Sequence, residues 1–236
     1  MFIHARSALF LVIYNITAAL YGILSLLLLF LPLRIRHRII ISWTRATVFL
    51  LRVICGVRHS VVGQENIPKH GEPVVIMSKH QSTWETLFLQ YTFWPASTVL
   101  KKELLRIPFF GWGLAALRPI AIDRSNPRKA LRKVKERGLQ RLESGYNLLL
   151  FPEGTRTAHG EKGKYARSGA EIAVASGKPI IPIALNAGVF WPPKDFKKHP
   201  GCISVVVGAP ISSHNKTSKE LIVEVENWIE TQMKSL

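Results

Sequence analysis

The chain is short of acid. Its 236 residues carry 15 aspartates and glutamates against 32 lysines and arginines, a formal charge of +17. Such an imbalance points to an anionic partner: nucleic acid, an anionic lipid surface or an acidic substrate. Cysteine is scarce too. Cys55 and Cys202 stand alone and match no metal-ligand spacing, which excludes a disulfide framework and a zinc module. Both read as small buried residues in a reducing compartment. A G-x-S-x-G elbow is missing, and no nucleophilic serine or cysteine is evident, which argues against a hydrolase. There is no RNA-recognition signature, so a membrane-tethered nucleic-acid-binding protein would rest on charge alone. Internal repeats and low-complexity tracts are likewise missing. The length suffices for one sizeable core and an appendage.

Long apolar runs, by contrast, are present. Residues 8–31 contain no charge. As a helix they would extend roughly 36 Å, enough for a hydrocarbon layer of roughly 30 Å. The run is too long for the core of an ordinary signal peptide, and no small-residue cleavage site follows. Arg34, Arg36, His37 and Arg38 follow it, against Arg6 before it, which predicts a cytoplasmic location for the rest of the chain. A second apolar segment, residues 39–57, is interrupted by Arg45 and Arg52. Seven residues apart, these share one helical face, as in a helix lying on anionic headgroups. The expected division is therefore a membrane-binding helical hairpin over residues 1–56 and an α/β domain over residues 57–236.

In that second part, short apolar runs alternate with helical patterns. Strands are expected at residues 74–76, 98–100, 119–122, 148–150, 180–183 and 203–207. Helices are expected at 83–94, 128–142, 168–176 and 217–233, with Leu131, Val134, Gly138 and Leu142 on one side of the second. The predicted fold class is α/β: a mixed, largely parallel central sheet flanked by helices. Pro182 and Pro210 suggest that some strands are edges or end early.

Two of these strands run into polar clusters. Residues 73–76 lead into Met77-Ser78-Lys79-His80-Gln81-Ser82-Thr83-Trp84-Glu85, and residues 148–150 lead into Phe151-Pro152-Glu153-Gly154-Thr155-Arg156. Charged residues at the ends of two buried strands are what the active edge of an α/β sheet looks like. His80 can take a proton near neutral pH, and a nearby carboxylate can orient its ring. Five residues along a continuous helix would turn His80 and Glu85 about 140° apart. The pair therefore requires His80 in a loop and Glu85 in the first turn of a helix capped by Ser82 or Thr83. Gly154 permits a turn. Arg156 offers a two-pronged grip on phosphate, and Glu153 could hold that arginine or accept from a hydroxyl.

These residues also carry a resemblance. His80 and Glu85 match the H-x-x-x-x-D motif of the glycerolipid acyltransferases, with glutamate for the usual aspartate, and residues 151–156 match their F-P-E-G-T-R block. Residues 100–104 with 107–112 resemble the K-x-E-L and P-x-x-G region, and residues 119–124 resemble the F-I-x-R block, with Ala121 where phenylalanine is usual. The chain resembles the 1-acylglycerol-3-phosphate (lysophosphatidic acid) acyltransferases over roughly residues 58–210. The resemblance implies acyl transfer from acyl carrier protein or coenzyme A to lysophosphatidic acid. No metal or cofactor is implied beyond that thioester co-substrate. His80 and Glu85 would be catalytic. Lys101, with Lys102 as the second choice, and Arg124 would bind the acceptor phosphate together with the loop of Glu153, Gly154, Thr155 and Arg156. Glycerol 3-phosphate, a lyso-ornithine lipid or a lipid A precursor are alternative acceptors. The partners implied are membrane lipids and the thioester carrier, not nucleic acid, at the cytoplasmic face of the inner membrane.

Overall fold

The structure is a computed structural model that describes residues 2–69 and 71–236. Two long helices come first, α1 (Phe2–Leu27) and α2 (Leu33–Cys55). Gly56, at φ 72°, ends α2 in the left-handed conformation, which releases the chain into β1 (Val57–Val62). Then come β2 (Val75–Ser78), α3 (Trp84–Thr92), β3 (Ala96–Lys101), α4 (Phe110–Ala116) and β4 (Ile120–Ile122). They are followed by α5 (Pro127–Glu143), β5 (Asn147–Leu150), α6 (Ser168–Ser176) and β6 (Ile180–Leu185). The short α7 (Ala187–Phe190), β7 (Gly201–Val207) and α8 (Ser218–Met233) complete the order.

The strands form one sheet in the order β1-β7-β6-β2-β5-β3-β4. Among the described strand pairings only β6–β7 is antiparallel. The expected mixed, largely parallel sheet is thus the one observed. Four-residue β2 and β5 lie at its middle and are wholly buried, as strands covered on both faces must be. Alternation sends Ile76 and Leu149 to one face, packed with Phe10, Trp43 and Trp84 of α1, α2 and α3. Val75, Met77, Leu148 and Leu150 face the other way, toward α5, α6 and α8.

Several expectations needed correction. Pro182 lies in β6, an interior strand, not at an edge, whereas Pro210 does follow the end of a strand, β7 at Val207. The Pro182 carbonyl accepts from Gly208 N at 2.9 Å, one residue beyond the antiparallel ladder, so its missing N–H falls where β7 has already ended. Leu131 is exposed although Val134, Gly138 and Leu142 of the same stripe are buried. At 1.5 Å per residue α5 is roughly 25 Å long, against roughly 13 Å for β5, so its first half overhangs the sheet. Cys55 is buried, but Cys202 is exposed on the outward face of β7.

Helix α1 lies along the domain. Near its start Ser7 Oγ accepts from Lys198 N at 2.9 Å, and Arg6 Nε donates to Ile54 O. Near its end Gly22 packs against the backbone of Phe109 so closely that a Cβ has no room. Phe109 adopts φ 61° and ψ −63° in a γ-turn closed by Phe110 N to Pro108 O at 2.7 Å. The far side of α1 exposes Leu9, Val12, Ile16, Leu20, Ile23 and Leu27. On α2, Arg45, Phe49, Arg52 and Val53 form an exposed stripe of cations and apolar groups.

Candidate active site

β2 and β5 run parallel and adjacent, with Met77 opposite Leu150, so the loops at their carboxyl ends emerge side by side. His80 sits in the first loop, and Glu85 lies in the first turn of α3. Ser82 Oγ accepts from Trp84 N at 3.1 Å, whereas the Thr83 side chain makes no cap bond. The chain thus turns between the two residues, and His80 Nδ1 meets Glu85 Oε1 at 2.8 Å.

The proton's position follows from the neighbours. Glu85 Oε1 also accepts from the backbone N–H groups of Gln81 at 2.8 Å and Ser82 at 2.6 Å. An oxygen facing three nitrogens is an acceptor, so Nδ1 carries a hydrogen, and in the neutral ring the lone pair lies on Nε2. Glu85 is completely buried, and its Oε2 has no hydrogen-bond partner among the described residues. All the hydrogen bonds that Glu85 accepts therefore converge on Oε1, the oxygen that faces the imidazole. Phe151, at the start of the second loop, stacks on the His80 ring with centroids 4.1 Å apart and planes 21° apart.

Glu153 does not hold Arg156. Its Oε1 receives Lys79 Nζ at 2.8 Å, Thr157 Oγ1 at 3.2 Å and Gly163 N at 3.0 Å, and its Oε2 receives His80 N at 3.1 Å. A carboxylate so occupied is framework: it fastens the second loop to the first. Thr157 N donates to His80 O at 2.8 Å and completes the fastening. Lys79, with 1% exposure, also reaches Glu230 Oε1 of α8 at 2.9 Å and the Glu161 carbonyl at 2.9 Å. Tyr165 donates to the same Glu230 oxygen at 2.8 Å; burial, first, and that hydrogen bond push its hydroxyl pKa upward. Sequence reasoning assigned no role to Lys79, Tyr165 or Glu230. A lysine directly before the histidine was the one available signal.

Beyond Glu153 the loop opens to solvent. Gly154, at φ 69°, makes the turn in open space, so its requirement is conformational and not steric. Thr155 and Arg156 are exposed, and Arg156 lies within electrostatic reach of Tyr14 on α1. Lys101 ends β3, is exposed, and approaches Glu103 only to 3.9 Å. Lys102 pairs with Asp123 across the ends of β3 and β4, which holds that carboxyl well below the usual range. Arg124 is exposed, and among the described residues no carboxylate pairs with it. Because β2, β5, β3 and β4 are consecutive in the sheet, His80, Arg156, Lys101 and Arg124 occupy one edge in that order. The edge spans roughly 15 Å across three strand spacings. Among the described residues no group of three or more His, Cys, Asp or Glu could hold a metal ion.

A family model described as Acyltransferase matches residues 58–186. The chain is 45% identical over 233 residues to the 1-acyl-sn-glycerol-3-phosphate acyltransferase of Pseudomonas aeruginosa, covering 97% of this chain and 90% of that one. To the protein of the same name in Saccharomyces cerevisiae it is 32% identical over 220 residues, covering 90% and 70% respectively. Among solved structures it resembles the 1-acyl-sn-glycerophosphate (LPA) acyltransferase PlsC of Thermotoga maritima. The TM-score is 0.81 and the identity 22%, over 99% of this chain and 95% of that one, a likeness of fold. With so much of its sequence shared along nearly the whole length of a curated member, the chain belongs to the acyltransferase family that includes the 1-acyl-sn-glycerol-3-phosphate acyltransferases.

Proposed function

We propose that this enzyme transfers a fatty acyl group from a thioester, carried on acyl carrier protein or coenzyme A, to the sn-2 hydroxyl of lysophosphatidic acid. The product is phosphatidic acid. The observation that carries this reading is the His80–Glu85 pair at 2.8 Å, one strand away from the exposed Arg156.

His80 Nε2 takes the proton of the acceptor hydroxyl as its oxygen attacks the thioester carbonyl. Glu85 stabilises the imidazolium that results and keeps the ring in the reactive tautomer. The tetrahedral intermediate then collapses, the C–S bond breaks, and the imidazolium returns its proton to the departing thiolate. Phe151 braces the ring through this cycle. Arg156, Lys101 and Arg124 are the cations for the acceptor phosphate, Arg156 with the two-pronged grip that a guanidinium offers. Gly154 and Thr155 shape the loop that presents it.

The acceptor is a lipid, and the proximity of α1 to Arg156 supports delivery from a membrane. α1 is the one described helix long and apolar enough to cross a bilayer. Since both of its ends are docked on the domain, we assign it to a position within one leaflet, with the site at the cytoplasmic face of the inner membrane. The test is to incubate membranes containing the protein with a labelled thioester and a panel of lyso-acceptors. Labelled phosphatidic acid from lysophosphatidic acid is expected. Label appearing only from glycerol 3-phosphate, a lyso-ornithine lipid or a lipid A precursor would replace the acceptor.

A further inference from the structure

We infer that the solvent-facing side of α5 is the docking surface for an acidic acyl carrier protein, the donor of the acyl group. The inference rests on the acyl-transfer reading and narrows its donor.

Arg128, Lys129, Arg132, Lys133, Lys135 and Arg137 are all exposed on this one helix. Among the described residues, only Arg132 of these six has a carboxylate partner, Glu136 at 3.3 Å. The other five charges are uncompensated. Their placement is also locally unfavourable. The first turn of α5 contains no acidic residue, and Arg128 and Lys129 stand where the helix dipole is positive. Asn126 Oδ1 caps the turn by accepting from Lys129 N at 3.2 Å, so the helix starts here despite its charges. A role in binding accounts for cations where helix stability would favour acids. Leu131, 45% exposed, lies among them. An apolar contact within a charged rim is the anatomy of a protein interface.

The location selects a soluble partner over a lipid. α5 packs with α6 and α8 on the sheet face opposite α1, α2 and α3. If the apolar side of α1 meets the membrane, the cations of α5 point into water. The helix also lies beneath β4 and β5, from which the edge leads to His80 over one to three strand spacings, roughly 5–15 Å. An extended phosphopantetheine arm, with about thirteen bonds from phosphorus to sulfur, spans roughly 15 Å by peptide-like geometry. A carrier seated on α5 can therefore present its thioester at His80.

The experiment compares two donors of equal acyl chain, the acyl-carrier thioester and the coenzyme A thioester, on the full-length protein in vesicles. The variant carries Arg128→Gln, Lys129→Gln, Lys133→Gln and Lys135→Gln, which spares the Arg132–Glu136 pair and the buried stripe of α5. The expected result is a fall of about 10-fold or more in kcat/KM for the carrier donor at low salt, narrowing as salt rises. With the coenzyme A donor the change should stay within about 2-fold. Adding Leu131→Ser should lower the carrier value further. An unchanged carrier value would overturn the inference, and so would an equal fall with both donors, with or without loss of vesicle binding. A wild-type protein active with coenzyme A thioester alone would sink this inference only. One active with neither would sink the acyl-transfer reading as well.

Discussion

At the β2–β5 end of the sheet edge, Lys79, Glu85 and Glu153 are at most 8% exposed, and each is hydrogen-bonded to a neighbouring loop or helix. At the β3–β4 end, Lys101 and Arg124 are exposed, and among the described residues no carboxylate comes closer to either than Glu103, at 3.9 Å from Lys101. The same edge thus carries two kinds of charge. On the roles proposed above, the groups that fix the proton-abstracting histidine are held by burial and multiple bonds, whereas those that would catch a phosphate are left in water with their reach intact. Burial strengthens each electrostatic contact and makes its loss costly, while exposure keeps single contacts small.

Four substitutions probe the buried end against the exposed end, beginning with the largest effect. His80→Ala should lower kcat by about 10²–10⁴-fold while the domain stays folded, with a smaller loss of thermal stability because the ring's bond to Glu85 and its stacking on Phe151 go with it. Retained turnover would exclude His80 as the base. Lys79→Met should act on stability, because it strands two carboxylates, one wholly buried; a loss of about 3–5 kcal/mol is expected from thermal unfolding in detergent. Adding Glu153→Gln should recover part of that loss, and a double-mutant cycle with no coupling would disprove the shared network. At the exposed end, Arg156→Ala should raise the acceptor's KM by about 10- to 150-fold, the worth of a charged hydrogen bond of about 1.5–3 kcal/mol. Lysine at that position should restore only part. A rise in the donor's KM instead would turn Arg156 toward the donor. Arg124→Gln should give the smallest change, a few-fold in the same KM, fading at high salt. If Arg124→Gln proved costlier than Lys79→Met, the division of the edge into fixed and free charges would be wrong.

One further pair sharpens the buried end itself. Glu85→Gln removes the charge behind the imidazolium, whereas Glu85→Asp keeps it and shortens the reach. Gln should be the slower in kcat, and equal rates for Gln and wild type would remove Glu85 from the mechanism.

Much of this was legible in the chain, for local reasons. The strand-to-loop transitions at His80 and at Phe151 are written in contiguous residues, and so is the helix start that brings Glu85 back to His80. β1 was not anticipated, because its residues 57–62 continue the apolar segment before them and mix Arg58 and His59 into the pattern. As an edge strand paired only with β7, it shows a half-exposed alternation. The Lys79 network was hidden for a different reason. Glu153 and Glu230 lie 74 and 151 residues away from Lys79, and no local pattern announces such pairings. A lysine beside a histidine reads as a solvated charge until the far partners arrive. The expected Glu153–Arg156 pairing failed for the same reason: Arg156 is its neighbour in sequence, and Lys79 is its neighbour in space.

The docking of α1 has a consequence for biosynthesis. Phe10 stacks edge-on against Trp191 with centroids 5.4 Å apart, and Ser7 receives the backbone of Lys198. The helix is therefore synthesised early and packed late, waiting for residues some 180 positions downstream. Through that interval its outer face is apolar and uncovered, and its inner face has only α2 and the Phe109 turn to meet, while contacts of such long range close slowly. Lipid is the one solvent at hand that suits both faces. On the membrane placement proposed above, lipid would serve as a scaffold on which the domain condenses: folding would begin with the helix in lipid and end when the domain claims one side of it.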